Sequence, residues 1–276
     1  TYIAKYHITR MMQWLHASFG VGITSGPFIM TMGINATSHW QSGYFVVSVA
    51  MVILSVIFLF TKNMWEGISA SSREEDHDEN TASLSETIKS IQALLSLALF
   101  FLCTGMELGL GLWIYSLLTE SRGVAPEVAG IVTGGYWAMF TVGRIFAGWY
   151  AKMIDIRKLI YLSISLALFG VALLLADSSL IITILGVTLV GFAIAPIFPG
   201  LVSSTTSRVG FRHQANTIGM QIAAAGLGVA VVPSIAGVLA RIFGLEVIPL
   251  YLLSTLALLL LVFIISNSLS GEYTLD

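Results

Sequence analysis

The chain has 276 residues, 56% of them hydrophobic and 10% charged, with a mean hydropathy of +0.88 and a formal charge of -2. A soluble globular domain carries about 25% charged residues, so this composition excludes that class and describes a chain solvated mostly by lipid. The balanced charge gives no electrostatic footprint for nucleic acid. The single cysteine, Cys103, excludes an intrachain disulfide framework or a cysteine zinc cluster.

Eight apolar segments are predicted, over residues 11–34, 43–61, 88–118, 128–150, 158–176, 180–203, 215–242 and 247–268. Each is long enough to cross a bilayer and none alternates with period two, so helices rather than barrel strands are implied. The first segment carries Gln13, Trp14 and His16 near its start, and Gln13 and His16, three apart, share a helix face. A short polar break, Asn35 to Ser42, leads into the second. The long connection after it, Lys62 to Ser85, holds the run Ser72-Arg73-Glu74-Glu75-Asp76-His77-Asp78-Glu79-Asn80, and seven of the fifteen acids fall between Glu66 and Glu86. Such a segment is a solvated linker. Ser83-Leu84-Ser85-Glu86 has the spacing of a capping box and is expected to open the third span.

Glu107 lies in the middle of that span, between the apolar runs Ile91 to Phe101 and Leu108 to Leu118. A carboxylate at membrane depth costs at least about 2.5 kcal/mol, so it faces a polar interior or carries function. The fourth segment adds Tyr136, Trp137 and Arg144, the sole basic residue within a span. In the sixth, Pro196 and Pro199 break helical hydrogen bonds and favour a bend. The seventh adds Asn216, Gln221 and the small-residue run Ala223-Ala224-Ala225-Gly226-Leu227-Gly228, which suits close helix packing.

Alternate connections differ in charge. One set holds Lys5, Arg10, Lys62, Arg73, Lys89, Lys152, Arg157, Lys158, Arg208 and Arg212, and the other only Arg122 and Arg241. Ten against two places both termini and the linker in the cytoplasm.

Gly143-Arg144-Ile145-Phe146-Ala147-Gly148-Trp149-Tyr150-Ala151-Lys152-Met153-Ile154-Asp155-Ile156-Arg157-Lys158 resembles the signature loop of the major facilitator superfamily, with Lys152 at its usual acidic position and Asp155 where glycine is expected. Gly105-Met106-Glu107 followed by Trp113 resembles the seventh helix of the sugar–proton symporter branch that includes fucose permeases. Gly191-Phe192-Ala193-Ile194-Ala195-Pro196-Ile197-Phe198-Pro199 resembles its tenth helix, and the stretch from Gln13 to Pro27 its fifth. The resemblance implies an all-α integral membrane bundle of the major facilitator type, with eight transmembrane helices present, reading as helices five to twelve of a twelve-helix fold. Residues 1–61 are then the last two helices of the N-terminal half-bundle, 62–87 the acidic cytoplasmic linker, and 88–276 the six-helix C-terminal half-bundle. The start at Thr1 without a methionine fits the expectation that four helices precede it.

The implied function is secondary active transport of a small polar, sugar-like solute by alternating access, coupled to protons as a symporter, in the cell membrane. Uniport, drug/proton antiport and a non-transporting receptor are the other readings. A sugar needs hydrogen-bonding groups and aromatic faces, which Gln13, Trp14, Trp113, Tyr136, Trp137, Asn216 and Gln221 supply. Glu107, and His16 with it, are the candidate proton carriers, since a carboxyl that loads a proton on one side and releases it on the other is what symport requires. Counted at 1.5 Å per residue, Glu107 lies roughly 25 Å from the cytoplasmic end of its helix and Arg144 about 10 Å from its own. That separation argues against a contact, so Arg144 is assigned with Lys152, Asp155 and Arg157 to the cytoplasmic gate. No phosphate-cradling loop, metal-ligand motif or nucleophile–base set is present in the sequence, so no enzyme activity, cofactor or metal is expected. The partners are the solute, the proton and the lipid bilayer, and no oligomer is required.

Overall fold

The computed structural model describes residues 18, 21–22, 25–26, 29–30, 32–34, 36–61, 81–150, 153–176 and 179–270. These fall into two compact units, Val21–Thr81 on the one hand and Ser18 with the residues from Ala82 onward on the other. No strand occurs among the described residues.

In the first unit, the described residues between 21 and 37 are helical and lead into helix α1, Gln41–Phe60. The turn between them is closed by side chains. Ser42 Oγ donates to Gly33 O at 2.9 Å, and Thr37 Oγ1 donates to the same carbonyl at 2.9 Å. Gly33 and Gly43 let the two backbones meet, because a Cβ on Gly33 would stand 2.8 Å from Gly43 N.

The second unit begins with a short helix α2, Leu84–Lys89, and the capping box is formed: Glu86 N donates to Ser83 Oγ, and Ser83 N to Glu86 Oε2 at 2.9 Å. The box therefore opens this separate turn and not the span itself. Ser90, extended at ψ 121°, breaks the chain, and its hydroxyl caps α3, Ile91–Ser116. A π-helical turn, Leu117–Ser121, ends α3. There follow α4 (Pro126–Tyr150), α5 (Ile156–Ala176), α6 (Leu180–Ile194), the short α7 (Ile197–Ser203) and α8 (Thr205–Val209), α9 (Gln214–Phe243) and α10 (Val247–Ser270). The expected bend in the sixth segment is the break at Ala195-Pro196 between α6 and α7. Pro233 is accommodated inside α9 without a break. Gly244, at φ 85°, ends α9 with its N–H on Ala240 O at 2.8 Å, in the left-handed region that glycine enters without strain.

α3 is central. It packs most extensively along α9, then along α10, and a ring closes through α5, α6 and α4. α3 and α9 run parallel, with contacts climbing both helices from Ser96–Gln221 through Gly105–Val232 to Trp113–Gly237. Alternation of the spans gathers residues 82–90, 153–157 and 204–213 at one end and 121–125 and 244–246 at the other. The first end carries Lys89, Arg157, Lys158, Arg208 and Arg212 and is called the basic end below. At the opposite end Arg122 pairs with Glu246 at 2.7 Å and also donates to Thr183 Oγ1 and Leu174 O, tying three connections together.

Six helices among the described residues are long and apolar enough to cross a membrane. α4 has the length, at 25 residues, but its glycines, its aromatics and Arg144 lower its hydropathy. The first of the eight expected spans, 11–34, falls largely outside the described residues. The chain is a multi-pass membrane protein.

Candidate functional site: a buried ion pair between α3 and α4

Glu107 and Arg144 meet inside the bundle. Arg144 Nη2 donates to Glu107 Oε1 at 3.5 Å, and the two side chains are 3% and 5% exposed. This corrects the sequence expectation that depth separates them. Tyr136 Oη donates to Glu107 O at 2.8 Å, which fixes the register of the antiparallel pair. Eight residues from Tyr136 to Arg144 span roughly 12 Å, and side-chain direction closes that distance. Helical side chains lean toward their own N-terminus, and in antiparallel helices those directions converge. The guanidinium lies 4.1 Å above the Phe140 ring, one turn back along α4, while the Glu107 carboxyl leans the other way. Counting Cα depths alone misses both displacements.

The wall around the pair is aromatic. Tyr136 packs edge-on against Trp137, with centroids 4.9 Å apart, and Trp137 against Phe140 at 5.7 Å. Gly111, one turn beyond Glu107, admits the Trp137 ring, since a Cβ there would overlap it. Trp113, on the other side of α3, donates from Nε1 to Pro233 O at 2.9 Å. A groove of about 550 Å³ runs beside it, lined by Leu112, Trp113, Ser116, Ala230, Pro233 and Ser234.

The remaining candidates sit elsewhere. Gln221 is buried near the basic end, where Nε2 donates to Ser96 Oγ at 2.6 Å and to Thr205 Oγ1 at 3.1 Å. Asn216 donates to Ala82 O at 2.8 Å and holds the residues before α2 against the start of α9. Gln221 lies roughly 18 Å and Asn216 roughly 26 Å along α9 from the level of Trp113, counting from Pro233 at 1.5 Å per residue. Asp155 caps α5, its Oδ1 accepting from Arg157 N at 3.0 Å and Lys158 N at 3.3 Å. Arg144 is therefore grouped with Glu107 and not with Asp155. Gln13, Trp14, His16 and Lys152 lie outside the described residues.

Arg208, which the sequence marks only as one of the basic connection residues, joins the basic end of the bundle. It is buried there, donating to Leu201 O at 2.6 Å, Ser204 Oγ at 3.2 Å and Ser96 Oγ at 3.4 Å. Burial, with a smaller contribution from the Arg157 charge, pushes its pKa down to about 9. A loop assignment hides such a residue. The signal was its place at the end of a short helix, one turn beyond Ser204, so that its side chain folds back into the bundle. Beside it Arg212 pairs with Glu86 at 3.4 Å and His213 Nδ1 meets Thr87 Oγ1 at 3.0 Å.

The family model of the Major Facilitator Superfamily matches residues 1–158 and 95–270. The chain belongs to the Major Facilitator Superfamily. It is 25% identical over 274 residues to Bypass of stop codon protein 6 of Saccharomyces cerevisiae, covering 88% of this chain and 55% of that protein. It is 22% identical over 230 residues to the glucose/mannose transporter GlcP of Bacillus subtilis, covering 82% of this chain and 56% of that protein. The chain thus spans about half the length of the curated relatives it matches.

Proposed function

We propose that the chain is the greater part of a secondary transporter that moves a small polar, sugar-like solute by alternating access, coupled to protons through Glu107. The observation that carries this reading is the Glu107–Arg144 pair, held between membrane-spanning helices with an aromatic wall beside it. A buried pair of this kind has two distinct states. With Glu107 ionised the charges cancel and α3 and α4 are tied. With Glu107 protonated the tie is lost and Arg144 is left as a net buried charge, which favours rearrangement of the helices around it. Proton binding then biases a packing equilibrium, which is the requirement for coupling.

Trp113 and Trp137 are the proposed sugar-facing aromatics, with Gln13 and Trp14 contributing from the first segment and His16 as the second proposed proton carrier, while Tyr136, fully buried, backs this wall from inside. Asn216 and Gln221 are assigned to closure of the basic end. Arg157, Asp155 and Lys152 belong to the gate at that end. The basic end faces the cytoplasm, by the ten-to-two distribution of Lys and Arg, so both termini and the linker do too. The chain corresponds to helices five to twelve of a twelve-helix protein of the sugar–proton symporter branch, with 1–61 and 88–276 belonging to different half-bundles. The weak identity to a glucose/mannose transporter supports the solute class.

The test is uptake of labelled hexoses by vesicles containing the full-length protein under an imposed pH gradient. Accumulation that a protonophore collapses supports symport. Binding without flux would replace the transporter reading with the receptor one.

A further inference from the structure

The groove beside Trp113 is built around a proline. Pro233 has no N–H, so the carbonyl of Val229, one turn back on α9, lacks the donor a helix normally supplies, and the pyrrolidine ring presses on the same oxygen. Neighbouring carbonyls at this point are taken by side chains. Tyr251 Oη donates to Val232 O at 3.2 Å, and Trp113 Nε1 to Pro233 O at 2.9 Å. No side chain among the described residues donates to Val229 O. The residues that bracket this oxygen, Val229, Ala230, Pro233 and Ser234, form the α9 wall of the groove.

Ser116, on the α3 wall, is the second open group. Thr119 and Ser234 donate to the carbonyl one turn back in their own helices, Ser234 Oγ to Ala230 O at 2.6 Å. Ser116 Oγ forms no such bond, nor any other hydrogen bond among the described residues. The Ser234 proton and the Trp113 N–H are already used, so the groove offers mainly acceptors and one unengaged hydroxyl.

These groups select the occupant. An unsatisfied backbone carbonyl is costly in hydrocarbon, where helices keep such groups paired, so this wall does not suit acyl chains. No charged side chain lines the groove, and an ion would lose its hydration there with nothing to replace it. A neutral solute rich in hydroxyl donors fits. The Trp113 ring lies beside the acceptors, and about 550 Å³ accommodates a small ring-shaped solute.

We infer that Val229 O and Ser116 Oγ read two separate hydroxyls of the transported solute. One hydroxyl donates to the carbonyl that Pro233 leaves open, and another exchanges a hydrogen bond with Ser116. Pro233 is then a positioning residue for specificity, a role that rests on the sugar reading above. Ser116 lies nine residues beyond Glu107 on α3, roughly 13 Å along the helix, so hydroxyl recognition and the proposed proton site are separate.

The experiment is equilibrium binding of labelled D-glucose and D-mannose to the full-length protein, with competition by analogues lacking one hydroxyl at each ring position in turn. Against the wild type, one analogue competes roughly tenfold worse than its parent hexose because it leaves Val229 O unpaired. Pro233→Ala returns the missing N–H and satisfies that carbonyl within the helix. In this variant the parent weakens by a similar factor and the same analogue no longer differs from it, while the protein melts no lower than the wild type. Ser116→Ala abolishes discrimination against a different analogue. Ser254→Ala, on α10 where the hydroxyl already donates to Leu250 O, changes neither. A Pro233→Ala protein that keeps the wild-type ranking of the analogues, whatever its overall affinity, overturns the inference and leaves the sugar reading standing. So does a Ser116→Ala protein with unchanged discrimination. If neither hexose binds the wild type, the sugar reading falls and this inference falls with it.

Discussion

Arg144 Nη2 reaches Glu107 Oε1 across the interior of the bundle at 3.5 Å, from a backbone position about two turns nearer the basic end than Tyr136. Each of the two charges is tolerable there because of the other. Removing one partner of a buried pair typically costs about 3–5 kcal/mol, whereas replacing both by neutral groups is often close to neutral. Arg144→Met is therefore expected to lower the melting temperature of the purified full-length protein sharply. Adding Glu107→Gln to it is expected to restore most of the loss. Single substitutions that melt like the wild type would mean that the pair does not form in the membrane.

Tyr136 serves a different end. Its hydroxyl donates to the main-chain carbonyl of Glu107, not to the carboxylate, so it sets helix register without touching the charge. Tyr136→Phe is expected to cost about 0.5–1.5 kcal/mol of stability and to leave the pH dependence of uptake in place. Tyr136→Ala, which empties a fully buried site, is expected to cost about 3–5 kcal/mol. A shifted pH profile in Tyr136→Phe would bring the hydroxyl into the proton path.

α3 and α9 touch backbone to backbone at Gly228, where a Cβ would stand 2.8 Å from Phe101 C and 2.9 Å from its Cα. Backbone does not yield as a side chain does, so Gly228→Ala is expected to destabilise by about 1–3 kcal/mol. Gly109→Ala on α3 meets only a Leu252 methyl at 3.1 Å. There the flexible leucine shifts, and the gain in helix propensity, about 1 kcal/mol at most, offsets the crowding. Thermal melts of the two variants should therefore differ clearly, and equal melts would contradict the close α3–α9 approach.

Much of this architecture was legible in the sequence. Span lengths and polar breaks match the long helices between Gln41 and Ser270, the Ser83–Glu86 spacing marks a real capping box, though on α2 and not on the span, and the break at Pro196 follows from its missing N–H. What failed were inferences needing three-dimensional reach. Arg144 was separated from Glu107 because Cα depth carries no information about which way a long side chain leans. Asn216 and Gln221 have the chemistry of sugar contacts, but the same amides satisfy Ala82 O and Ser96 Oγ, and sequence cannot tell a solute hydroxyl from a serine. Arg208 stands in the sequence only as one of ten connection cations, whereas its short helix folds it inward.

Glu246 supplies a pH test at the opposite end. The Arg122 hydrogen bond, aided by Ser121, holds its carboxyl below the usual carboxylate range. A depressed folded-state pKa contributes stability that is present above the unfolded value, about 4.3, and is lost as pH falls through the folded one. Glu246 is half-exposed, so solvent screens the effect and it is modest. Glu246→Gln is expected to melt below the wild type at neutral pH, with the gap narrowing as the pH drops under about 4. A gap independent of pH would assign the contribution to packing.

If Glu107 carries the coupling proton, Glu107→Gln in the full-length protein uncouples transport from the pH gradient. The substitution keeps size and hydrogen-bonding capacity and removes titration. Reconstituted in vesicles, the variant is expected to lose accumulation of the transported solute under a pH gradient while still exchanging labelled for unlabelled solute at equilibrium. If Glu107→Gln accumulates solute with the pH dependence of the wild type, the proton is carried elsewhere and the pair with Arg144 is structural.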